Sequence, residues 1–162
     1  HTYKRAWLKT PEARVAKGLD LVPGLDGRKM SKSYGNHIPC FVSSKKLRKL
    51  VMRIKTDSSP PEAPKDPADS LIFSLFQCFA TVEEVEDLKS HYEQGISWGE
   101  AKQILYEKLD SVFAEKRKVF DELVQDRQKL DKILKSGAER ARSVAAATMA
   151  ELRTGIGIQR QS

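Results

Sequence analysis

Val22-Pro23-Gly24-Leu25-Asp26-Gly27-Arg28-Lys29-Met30-Ser31-Lys32-Ser33-Tyr34-Gly35-Asn36-His37-Ile38 decides how this chain is read. Two lysines and two serines fill the five positions from Lys29 to Ser33, behind the turn-forming run Pro23 to Gly27 and ahead of Tyr34-Gly35-Asn36. Glycine tolerates positive φ, and Asp and Asn bond their own backbone, so a mobile surface loop is predicted. Its make-up suits the phosphates of a nucleotide. Lysine supplies point positive charge, serine hydroxyls and free backbone N–H groups supply donors, and flexibility lets the loop close during reaction. Taken alone, the same five residues also describe a solvated lysine-rich turn, so the surroundings carry weight.

Just upstream, Leu19-Asp20-Leu21-Val22 is a short apolar run stopped by Pro23-Gly24 and reads as a strand tip feeding the loop. Downstream, the spacing predicts a helix from Ser43 to Lys55. Leu47, Leu50, Val51 and Ile54 fall on one stripe, cations cover the rest, and Ser43 or Ser44 caps the start. Thr56 to Pro67 holds four prolines among Ser and Asp residues and is predicted to be an extended connector, because proline cannot continue a helix.

Everything beyond reads as helix. Asp66 is placed as an N-cap with Pro67 in the first helical position, leading into Leu71, Ile72, Leu75, Phe76 and Phe79. Thr81 to Glu84 has the capping-box pattern, with Val85, Leu88 and Tyr92 inward and Gly95 as terminator. Ser97 to Glu100 is a second capping box opening a helix to about Gln125. Asp126 is expected to start a short helix that ends near Gly137, and a last helix holds Ala138, Ala141, Ala145, Met149 and Leu152 before Gly155. The tail from Ile156 to Ser162 is expected to fray. Four segments result: 1–42 as the edge of an α/β domain carrying the loop, 43–67 as basic helix and connector, 68–155 as a helical domain, and 156–162 as tail.

The 162 residues carry 29 Lys+Arg against 22 Asp+Glu, a net charge of +7. With pI near 9.4 and mean hydropathy of −0.52, a polyanionic partner is favoured over a membrane. No apolar run approaches the roughly 20 residues that span a bilayer, and no signal-peptide core opens the chain. Cys40 and Cys78 lie far apart without nearby Cys or His, which fits neither zinc spacing nor a disulfide framework and points to a reducing cytoplasm, or an organelle matrix after import. Cys78 reads as a small core residue. His1, His37 and His91 form no cluster, and no Walker, GxGxxG or Ser-His-Asp pattern occurs. Starting at His1 in mid-pattern, the chain is expected to be a C-terminal piece of a longer protein.

The loop Val22 to Ile38 resembles the signature loop of class I aminoacyl-tRNA synthetases, most closely that of the tryptophanyl and tyrosyl pair. Trp98 to Lys102, Gly137 to Arg142, Thr56-Asp57-Ser58 and Pro64-Lys65-Asp66 are similar to the C-terminal helical domain of the bacterial-type tryptophanyl family. The resemblance implies a mainly α fold: a C-terminal helical bundle of the anticodon-binding type, preceded by the KMSKS-loop edge of a Rossmann-like α/β catalytic domain that is otherwise missing. It implies activation of tryptophan with ATP and Mg2+ to an adenylate, transfer to tRNA(Trp), a homodimer, and no activity in the chain alone, since no HIGH-type motif is present. Carried onto this sequence, Lys32 and Lys29 would be catalytic, and Lys29, Met30, Ser31, Lys32 and Ser33 would hold the ATP phosphates. Met30 would pack the loop base. Lys102, Arg140 and Arg142 would contact tRNA, among scattered cations for which a solvated face is the simpler reading. Trp98 reads first as a packing anchor and second as a base-stacking platform. A tyrosyl counterpart and a non-catalytic helical RNA-binding module remain as alternatives.

Overall fold

The computed structural model describes residues 6, 8–15 and 21–158. The chain clusters into two units, Val15–Asp121 and a second made of His1–Arg14 with Glu122–Ser162. Among the described residues all regular structure is helical: α1 Ser44–Met52, a 3-10 turn Pro67–Asp69, α2 Leu71–Gln77, α3 Val82–Gln94, α4 Trp98–Gln125 and α5 Arg127–Gly155.

The first unit is organised around one apolar core. Leu47 and Val51 of α1, with Ile54 just past its end, meet Ile72, Phe73, Leu75 and Phe76 of α2, Leu88 and Tyr92 of α3, and Leu105 and Leu109 of α4. Ser43 caps α1 by accepting the Lys46 N–H, and Leu50 lies at the margin rather than in the core. The expected Asp66 cap and first-position Pro67 are present, but they open only the 3-10 turn. Ser70 then caps α2 by accepting from the Phe73 N–H, and its hydroxyl also meets the buried Tyr92 hydroxyl at 2.8 Å. Sequence inspection did not separate these two short helices, because a 3-10 turn and an α-turn share their cap residues.

The Thr81–Glu84 capping box forms in both directions, and Gly95 closes α3 at φ +97°. At the start of α4 Ser97 accepts the Glu100 N–H at 3.1 Å, and the return bond of the expected box is not among the described hydrogen bonds. Trp98 is the packing anchor its place suggests. Its ring meets Tyr92 edge-on at 6.0 Å, and its indole N–H donates to Asp57 at 2.9 Å.

The proline-rich segment is irregular, as expected, yet it is docked rather than extended. Its Lys65 side chain is 7% exposed and donates to three backbone carbonyls, those of Pro60, Pro61 and Ala63, at 2.9, 3.2 and 2.9 Å. The Lys65 N–H bonds the Tyr92 carbonyl at 2.8 Å, and the ammonium lies 5.4 Å over the Trp98 ring. A buried cation needs such acceptors, and here they curl the segment round it.

Two further expectations are corrected. No strand occurs among the described residues. The expected strand tip falls partly on Leu19 and Asp20, outside the described residues, and the chain beyond them forms only a single antiparallel bridge between Pro23 and Lys29. The short helix expected after Asp126 and the last helix expected after Gly137 are one 29-residue helix, α5, capped by Asp126 through the Lys129 N–H. Gly137 lies inside it, where glycine costs about 1 kcal/mol relative to alanine, too little to stop a run of good helix formers on both sides. No residue of α5 is buried, and Ile133, Leu134 and Val144 are exposed. Of the tail, residues 159–162 lie outside the described residues.

Candidate functional site

The lysine-serine loop belongs to the first unit and rests on its core through Val22, Leu25, Met30 and Ile38. Met30 thus packs the loop base. The two limbs are joined by the Met30 N–H to the Val22 carbonyl at 2.9 Å, the Gly24 N–H to the Arg28 carbonyl at 2.7 Å, and the Leu25 N–H to the Asn36 carbonyl at 2.8 Å. The tip turns back through the Tyr34 N–H to the Ser31 carbonyl and the Gly35 N–H to the Lys32 carbonyl, with Gly35 at φ +64°.

At the centre is Asn36, only 4% exposed. Its side-chain oxygen accepts the Ser31 N–H at 2.8 Å, and its amide donates to the Asp26 carboxylate at 2.7 Å and the Lys29 carbonyl at 3.1 Å. Both its amide donors and its side-chain oxygen are thus engaged in tying the two limbs together. Gly24 makes room for it: a Cβ there would stand 2.3 Å from the Asn36 amide nitrogen. Asp26 in turn accepts from the Arg28 guanidinium at 2.8 and 2.7 Å, and Arg28 lies 5.0 Å over the Tyr34 ring.

The hydrogen bond from Asn36, followed by those from Arg28, lowers the Asp26 carboxyl from its ordinary 3.8 to about 2. A depressed carboxyl pKa supports the folded loop base above the ordinary value and withdraws that support as pH falls through the folded one. The side-chain amide resonances of Asn36 are therefore expected to titrate with a midpoint near 2. A midpoint near 3.8 in the same NMR titration would mean that the Asp26–Asn36 bond is not formed in solution.

The predicted site residues fall into two groups. Lys29, Met30, Ser31, Lys32 and Ser33 lie together on the loop, with Ser31 Oγ accepting the Ser33 N–H at 3.2 Å. Lys29, Lys32 and Ser33 are exposed, and neither lysine ammonium has an ion-pair or hydrogen-bond partner among the described residues. Arg28, next in sequence, is neutralised by Asp26. The other predicted residues are divided between the two units. Lys102 on α4 is half-buried, its ammonium 3.5 Å from the Met52 carbonyl, and burial lowers its pKa. Arg140 and Arg142 are exposed on α5, in the other unit. Sequence reasoning passed over Asn36, Asp26 and Gly24. The turn residues were visible, but nothing in their order distinguishes an Asn that faces solvent from one that is buried as a hub.

Three comparisons bear on the site. Residues 1–114 match the family model described as tRNA synthetases class I (W and Y). The chain is 41% identical over 160 residues to the tryptophan–tRNA ligase of Xanthomonas axonopodis pv. citri, covering 98% of this chain and 37% of that relative. It is 38% identical over 149 residues to the tryptophan–tRNA ligase of Neisseria meningitidis, covering 92% and 44% respectively. A crystal structure of tryptophanyl-tRNA synthetase from Campylobacter jejuni, complexed with ADP and tryptophan, superposes with a TM-score of 0.76 at 38% identity. That match covers 91% of this chain and 46% of the other. The chain thus spans less than half the length of the relatives it matches.

Proposed function

Because this chain belongs to the class I tRNA synthetases of the tryptophan and tyrosine type, we propose that it is the loop-bearing and helical part of a tryptophan–tRNA ligase. The complete enzyme joins tryptophan to ATP as tryptophanyl-adenylate and passes the tryptophanyl group to tRNA(Trp), as a cytoplasmic homodimer. Among the described residues no helix is long and apolar enough to cross a membrane. The observation that supports the reading best is the pair of uncommitted ammonium groups, Lys29 and Lys32, presented by a loop whose base is cross-linked through Asn36.

The chemistry follows from where charge develops. A tryptophan carboxylate oxygen attacks the α-phosphorus of ATP, the bond to the bridging oxygen breaks, and pyrophosphate leaves with the electron pair. Negative charge grows on the departing β-phosphate. A lysine that meets it fully only in the transition state lowers the barrier without over-stabilising bound ATP. Lys32, in the tip turn, has that role. Lys29 at the limb contacts the phosphates as the loop closes, while Ser31 and Ser33 donate to phosphate oxygens and Met30 holds the base. Mg2+, supplied with ATP, would offset phosphate charge, and no residue of this chain is assigned to hold it. Arg140 and Arg142 contact the tRNA, and Lys102 contributes positive charge beside the end of α1.

Amino-acid-dependent exchange of pyrophosphate into ATP, measured on the complete enzyme with tryptophan and with tyrosine, tests this. Tryptophan is expected to support exchange about 10²-fold or more better than tyrosine. A preference for tyrosine would assign the tyrosyl counterpart, and no exchange with either would leave a non-catalytic RNA-binding module.

A further inference from the structure

The positive charge of this chain is concentrated in one stretch. Between Gly27 and Thr56 stand nine Lys and Arg residues and no Asp or Glu. Of the 29 Lys and Arg in the chain, the remaining twenty face all 22 Asp and Glu residues, so everything outside that stretch is slightly acidic. Three of the nine are on the loop. The other six, Lys45, Lys46, Arg48, Lys49, Arg53 and Lys55, lie on α1 and the residues just past it, and all six are exposed.

None of these six forms an ion pair among the described residues, and their side chains make a single hydrogen bond, from Arg48 to Gln103 of α4 at 3.3 Å. The cations of α4 differ. Lys108 is paired with Glu84, Arg117 with Asp110 and Lys118 with Glu115. Lys116 donates to the Val112 carbonyl. Asp110, which accepts from Ser44 at the start of α1, is already bridged to Arg117. Lys102 adds a further ammonium at the C-terminal end of α1, 3.5 Å from the Met52 carbonyl.

A row of exposed like charges on a short helix repels itself and is retained at a cost unless a polyanion neutralises it. The apolar stripe of α1 is already in the core, with Leu47 and Val51 buried, so little apolar surface is left to enter a bilayer. An RNA backbone needs only cations at phosphate spacing, and each one that neutralises a phosphate releases counterions. We infer that the exposed face of α1 is the principal phosphate-backbone contact of this chain for tRNA, ahead of the helices that come after it. This rests on the synthetase reading and locates within it a surface that neither the loop chemistry nor the later helices account for.

The test measures binding of the unaltered 162-residue chain to tRNA(Trp) over a range of salt. It is repeated with the variant Lys45→Gln, Lys46→Gln, Arg48→Gln, Lys49→Gln and with a charge-matched control, Lys116→Gln, Lys129→Gln, Lys132→Gln, Lys135→Gln. Thermal melting checks that each is folded, which exposed positions should permit. The α1 variant is expected to lose about 10²-fold in affinity near 0.1 M salt and to show a log–log salt slope shallower by about 3, while the control moves only a few-fold. Equal losses in both variants, or none in the α1 variant, would overturn the α1 assignment and leave the synthetase reading standing on its pyrophosphate exchange. So would binding of the unaltered chain to phosphatidylserine–phosphatidylcholine vesicles and not to tRNA.

Discussion

Replacing Lys32 by alanine in the complete enzyme is expected to slow formation of tryptophanyl-adenylate by about 10²–10³-fold, the effect of removing one preorganised donor at a developing charge. Tryptophan binding should change little, because the role proposed for Lys32 lies at the departing phosphates. The structural basis is specific. The Lys32 ammonium has no partner among the described residues, so its removal leaves no buried group unsatisfied and breaks no ion pair among them. A loss confined to the rate constant would therefore reflect the transition state and not a damaged fold. Pre-steady-state measurement of adenylate formation, together with equilibrium binding of tryptophan, separates the two. Equal losses in both would show that Lys32 contributes uniform binding and would remove it from the catalytic role.

Gly95→Ala is the substitution expected to harm stability most. Gly95 ends α3 at φ +97°, a conformation that side-chain-bearing residues rarely adopt. A Cβ at this point would also stand 2.4 Å from the carbonyl oxygen of Glu62 and 2.7 Å from its carbonyl carbon. That neighbour is backbone, and it cannot swing aside, because the curl to which it belongs is held by three carbonyl bonds to the buried Lys65 ammonium. Backbone strain of this kind costs about 1–3 kcal/mol before any clash is counted. A loss near the upper end, about 3 kcal/mol, is expected in denaturant unfolding. Gly27→Ala is the informative comparison. It has φ +81° but open space around its Cβ position, so it isolates the strain from the clash. Equal destabilisation by the two would show that the Glu62 contact relaxes and that the segment 56–67 is less firmly docked than its hydrogen bonds imply.

These cases show which parts of the molecule were legible in advance. The stripe Leu47, Val51, Ile54 and the inward set Leu88 and Tyr92 could be read because helical periodicity is a local property, written three and four residues apart. The Thr81 box and the Gly95 stop were legible for the same reason. The Lys65 and Asn36 hubs were not. Each is a polar residue whose role depends on which backbone groups arrive around it, and only a closed tertiary structure supplies them. Gly137 erred in the other direction. A local breaker signal was read as a terminus, although the weight of helix formers around it prevails. Composition misled as well. Net basicity was assigned to the chain as a whole, whereas it belongs to residues 27–56.

The Asn36 hub also bears on the entropy of loop closure. Fixing the backbone of one residue costs about 1–2 kcal/mol, so a phosphate-binding loop ordered entirely by its ligand would forfeit much of its binding free energy to that ordering. Here the limbs from Val22 to Met30 are fastened to each other and, through Asn36, to the start of the tip before any nucleotide arrives. The freedom left to be lost lies mainly in the few residues from Ser31 to Gly35. In the proposed reaction, closure would resemble the turning of a stiff arm at its flanks more than the threading of a slack chain, with Lys29 carried on that arm and Lys32 keeping only the freedom of the short tip.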